Sequence, residues 1–178
     1  MLLYHLVPTE LVGTKLYPLN DLKSFHLDLY ERARTKYIGR EAVMQQIIPL
    51  LDCLWNDVIF LSPVHPEKIL HARISFGLQG NYDKKSPWFV LESENLDQSK
   101  LILYRHRPKW LADQEQDKAE YLPFVEVSQF EKEQLTEIPE CALWSIQKFR
   151  EKSLFQSYVP HLLYKGVIDI TNASIVTC

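Results

Sequence analysis

His5, Arg40 and Asp57 are the side chains best suited to acid–base or anion chemistry, and none of them stands in a known catalytic motif. His5 lies in the apolar run Leu2-Leu3-Tyr4-His5-Leu6-Val7, where a strand turns Tyr4 and His5 to opposite faces. An imidazole there can bond a ligand hydroxyl or carbonyl, or be satisfied in the core by a backbone carbonyl. Arg40 belongs to Lys36-Tyr37-Ile38-Gly39-Arg40-Glu41. Helix capping accounts for Lys36 and Glu41 but leaves the Arg40 guanidinium free to fork onto a phosphate or carboxylate. Asp57 closes Trp55-Asn56-Asp57. Asn56 and Asp57 there either bond their own backbone in a turn or stand at a site mouth, with Trp55 as a stacking wall or a core filler.

Two further histidines are candidates. Ser62 and His65 have the residue types of a nucleophile and a base, but Pro63 and Pro66 make entry into a helix the simpler reading. His161 heads a late apolar segment, His161-Leu162-Leu163-Tyr164. Arg105-His106-Arg107-Pro108-Lys109-Trp110 pairs cations with an aromatic, the mixture that binds nucleic acid. Asp113, Glu115, Asp117 and Glu120 follow closely and can neutralise it, so nucleic acid is not an expected partner.

Absences narrow the chemistry. With only five glycines, none clustered, the chain has no phosphate-cradling loop, and it lacks G-x-S-x-G and H-E-x-x-H. Cys53, Cys141 and Cys178 are far apart and make no metal-ligand spacing, so no metal site is expected. An odd set of dispersed cysteines fits a reducing compartment, and the N-terminus has no signal-peptide pattern. No apolar run approaches the ~20 residues that span a bilayer, so the chain reads as cytoplasmic, with no membrane partner.

These residues need elements to position them. At 178 residues with 46% hydrophobic content, the chain suits one domain over 1–178. The continuous run Val58-Ile59-Phe60-Leu61 reads as a strand buried on both faces at the middle of a sheet. Strands are also expected over 2–7, 88–91, 101–104 and 124–127, with two strand pieces in the tail. Leu22, Phe25, Leu29 and Ala33 form one stripe and predict a helix over 21–37. A second helix is expected over 40–48 and a third from Pro66 to about Phe76. Ser128 with Glu131 reads as a capping box, and a further helix starts at Pro139-Glu140. Gly80-Asn81-Tyr82-Asp83 signals a turn, and the hydrophilic stretch 108–120 reads as a mobile loop. Without regular alternation, the pattern predicts an α+β fold with a mixed, mainly antiparallel central sheet and about five helices.

Leu3 to Pro8 with Leu16 to Asn20, and Lys36 to Glu41 through Cys53 to Val58, resemble an uncharacterised bacterial family of small proteins. Tyr4-His5 is also similar to the first strand of ADP-ribosyltransferase-like folds, which lies against NAD. Val159 to Ile168 resembles their late strand but departs from it in having no glutamate; His161 lies where one might be sought. The resemblance implies a small-molecule or nucleotide ligand, with NAD as one candidate cofactor. In that reading Arg40 holds an anionic group, His5 a sugar hydroxyl, and Tyr4 or Trp55 stacks. Asp57 orients or accepts a proton, while Asn56, His65 and His161 complete the expected site. The competing expectation is a protein–protein interaction domain without catalysis.

Overall fold

The computed structural model describes residues 1–78, 86–107, 118–150, 156 and 158–178. The expected α+β class holds, and every ladder among the described residues is antiparallel. In chain order, β1 (Leu2–Leu6) and β2 (Lys15–Leu16) precede the helices α1 (Leu19–Phe25) and α2 (Leu27–Arg34). A short hairpin follows, β3 (Ile47–Ile48) with β4 (Cys53–Leu54), and then β5 (Ile59–Leu61) and α3 (Pro66–Ser75). The strands β6 (Pro87–Glu92), β7 (Leu101–Arg107) and β8 (Lys118–Pro123) lead to α4 (Gln129–Gln134) and α5 (Glu140–Phe149). The tail supplies β9 (His161–Tyr164), β10 (Ile168–Asp169) and β11 (Ser174–Thr177).

Two sheets carry the fold, one in the order β1-β6-β11 and the other β5-β9-β7-β8. A single antiparallel bridge, Tyr4 with Ser62, joins them, with N–H···O distances of 2.8 and 2.9 Å. The strand expected at the middle of a sheet is instead the outer strand of the second sheet. Among the described residues of these ladders, its only tie to the first sheet is that bridge at their seam, because Pro63 and Pro66 end its extended run. The strand's Ile59 and Leu61 face is buried and its Phe60 face only half-buried. Ile59 and Leu61 enter the large core, while Phe60 packs into a second cluster with Trp55 and Tyr104. Across the second sheet Leu61, Leu162, Leu103 and Leu122 lie in one register row on the large-core face.

Three local expectations are corrected. The helix expected over 21–37 breaks at His26 (φ −148°, ψ 70°) into α1 and α2, followed by a 3-10 turn at Thr35–Tyr37. In one straight helix Leu19 and Tyr30 would stand roughly 16 Å apart along the axis. The break folds α1 against α2 so that both enter one cluster with Tyr37. The helix expected over 40–48 is a 3-10 turn, Glu41–Gln45, running into β3. Ile47 and Ile48 are β-branched, and Pro49 forbids continuation. The strand expected over 124–127 is a 3-10 turn at Phe124–Glu126, because Phe124 and Val127 are buried three apart while Val125 is exposed.

The helix from Pro66 and the Ser128–Glu131 capping box form as expected. Of the loop read over 108–120, residues 118–120 belong to β8 and 108–117 lie outside the described residues, as does the turn at 80–83. Arg105 sits within reach of Glu120 (3.6 Å) and Glu131 (3.8 Å), so part of the basic patch is neutralised. Among the described residues no helix is long and apolar enough to cross a membrane.

Candidate functional site

His5 sits where the seam stops being a ladder. Continuing the Tyr4–Ser62 register would set Leu6 opposite Phe60. The Phe60 carbonyl instead accepts a bond from the side chain of His5, 2.9 Å from Nδ1. A carbonyl only accepts, so Nδ1 carries the proton and Nε2 of the neutral ring is left with its lone pair. Burial pulls the His5 pKa below the ordinary histidine value. The Phe60 bond opposes that shift, and the nearby Lys36 ammonium adds to it. At pH 7 the ring is a neutral hydrogen-bond acceptor.

His5 opens onto a cleft of about 440 Å³. One wall is the segment after β1, contributing Glu10, Leu11 and Val12; the other is the α1–α2 pair, contributing Leu22, Leu29 and Arg32. Lys15 and Tyr17 lie between them, and His26 lines the cleft at the helix break, edge-on to Tyr17 at 6.0 Å. Arg32 is paired across the two walls with Glu10 at 2.7 Å and along its own helix with Asp28 at 2.8 Å. The sequence pattern assigns Arg32 to a solvated helix face. Glu10 and Arg32 meet only in the fold, so nothing in their spacing marks them.

The other expected site residues lie outside this lining. Tyr4 points to the opposite face of β1 and meets the His65 ring edge-on at 4.8 Å. His65 caps α3, its Nδ1 accepting from the Glu67 N–H at 3.2 Å. The Arg40 Nε donates to the Lys36 carbonyl at 2.9 Å, and its guanidinium lies over the Tyr37 ring. Asp57 does turn chemistry, accepting from Leu54 N–H at 2.7 Å and from the Asn20 amide at 2.6 Å. Trp55 packs between Phe60 and Tyr104, with ring centroids at 4.7 and 5.5 Å. His161 lies on the same sheet face as Phe60, 6.0 Å ring to ring, with Nε2 3.2 Å from Gln156 Oε1. Its pKa falls to about 4, mainly through burial, with His5 adding a smaller push downward. Of the whole set, Tyr4 and His65 are in ring contact, and His5 lies near enough to His161 to press on its titration.

Asn56 stands apart. It is 2% exposed, and among the described residues neither amide atom has a hydrogen-bond partner. Burying an unbonded amide costs about 1–3 kcal/mol. Asn56→Leu, similar in size and without that cost, is therefore expected to raise the urea midpoint at unchanged slope. A lowered midpoint would show that the amide is bonded in solution.

No family model, curated protein or solved structure matches the chain.

Proposed function

We propose that the cleft beside His5 binds a small, mainly apolar molecule that donates one hydrogen bond to His5 Nε2. The observation that carries this reading is a neutral imidazole, fixed through Nδ1 to a backbone carbonyl, on the wall of a concave and largely apolar site. The fixed Nδ1 bond costs the ring no reorientation when a ligand arrives. The ADP-ribosyltransferase-like resemblance adds nucleotides and NAD to the ligands worth testing, with His5 on a sugar hydroxyl. Arg40 takes no part in the cleft wall, so the anion-holding role expected of it has no support here.

A second reading, a protein-docking site, draws on exposed apolar side chains at the cleft mouth. Phe25 and Leu27 flank the cleft-lining His26 and are 65% and 58% exposed. Thermal-shift titrations with NAD, nucleotides and small aromatic alcohols separate the two. A true ligand at a hundred times its dissociation constant stabilises the fold by about 2.7 kcal/mol. That response is expected to vanish in His5→Ala and in Leu29→Trp, which fills the cleft. A response unchanged in both variants, or none with any compound, overturns the ligand-binding reading.

A further inference from the structure

We propose that Glu10 stands in for an anionic ligand group: the cleft takes a small carboxylic acid with an apolar body, whose carboxylate displaces Glu10 from Arg32. This deepens the ligand-binding reading above and rests on it: a hydroxyl on the apolar body makes the bond to His5 Nε2, since the carboxylate, ionised at pH 7, has no proton to donate.

Arg32 is prepared for such a partner. Asp28, one helical turn earlier, accepts from Nη2 at 2.8 Å and holds the guanidinium, while Nε lies 2.7 Å from a Glu10 carboxylate oxygen in an ion pair. A guanidinium attracts carboxylates by charge and charge-assisted hydrogen bonds, and with Nη2 on Asp28 the Nε side is the one a ligand carboxylate meets. The Glu10 carboxylate is therefore seated on a carboxylate-recognising group within the cleft lining.

Glu10 is also built to leave. It belongs to a strap pinned at both ends, by Val7 N–H on the Pro87 carbonyl (3.0 Å) and by Ile170 N–H on the Thr14 carbonyl (2.8 Å). Between the pins, Pro8 opens the strap and Gly13 closes it at φ +71°, with open space where a Cβ would lie. That glycine is required by backbone angle rather than by packing. The Glu10–Arg32 pair is about half exposed on both sides, and such pairs add little to stability. An incoming carboxylate on an apolar body replaces the ion pair and adds contact with Leu11, Leu22 and Leu29. The exchange is a swap of one carboxylate for another, with no bond made or broken.

The test uses the full chain and two probes of one shape, benzoate and benzyl alcohol, titrated at pH 7 and read by amide chemical shifts. Benzoate is expected to bind about two- to fivefold more tightly to Glu10→Gln, which removes the competitor. It is expected to bind about two- to fivefold more weakly to Arg32→Gln, which removes the charged partner. Benzyl alcohol, which can donate to His5, is expected to bind all three proteins alike. Equal benzoate affinity across the three proteins, or benzyl alcohol binding alone, overturns the carboxylate proposal and leaves the cleft reading standing. If neither probe moves the amides of the cleft, both fall.

Discussion

Lowering the pH from 7 to 4 is expected to cost the fold about 3 kcal/mol through His161 alone. In the unfolded chain this ring titrates near the ordinary 6.5, whereas burial holds it near 4 in the folded protein. Between those values the unfolded state binds the proton and the folded state does not. The stabilisation is thus fully present above about pH 6.5 and drains away as the pH falls toward 4. His5, also shifted downward, acts in the same direction. Carboxylates held low by local hydrogen bonds, such as Glu131 and Asp169, lose their contribution only at more acid pH, below the ordinary carboxylate range. Urea midpoints at half-unit steps from pH 7.5 down to about 2.5 would separate the two windows. His161→Gln is expected to flatten the upper window, and an unaltered slope in that variant would refute the assignment.

The largest single-residue effect is expected at Leu162. It is fully buried, in register with Leu61 on one side and Leu103 on the other, at the centre of the second sheet's core face. Both neighbours are themselves held by backbone ladders, so the space left by truncation cannot readily collapse. Leu162→Ala should therefore destabilise by about 2–5 kcal/mol, visible as a lowered urea midpoint with little change in slope. Ile175→Ala in β11, at a 55% exposed position, is the matched control and should shift stability by no more than about 0.5 kcal/mol. A Leu162→Ala effect as small as the control's would mean that this row is not the centre of the core.

Elements with a local chemical signal were legible in the sequence. Pro66 at the first position of α3, Ser128 with Glu131 ahead of α4, and the apolar runs of β6, β7 and β9 all form as read. What could not be read depends on partners distant in the chain. The stripe through Leu22, Phe25, Leu29 and Ala33 looks continuous, but tertiary packing of Leu19 and Tyr30 breaks it at His26 and leaves Phe25 in solvent. The site follows the same division. His5 was legible by residue type and strand position, while its anchor, a backbone carbonyl of Phe60, has no sequence signature. Glu10 and Arg32 are ordinary charged residues until the strap crosses α2. Asp57, conspicuous in the sequence, is consumed in closing its own turn.

The lone rung between Tyr4 and Ser62 has a mechanical corollary. Where a full ladder would stitch the two sheets along their edges, one rung, the His5 side-chain bond to Phe60 and a shared core hold them together. His5→Ala is therefore expected to leave the backbone rung and the shared core as what joins the two sheets.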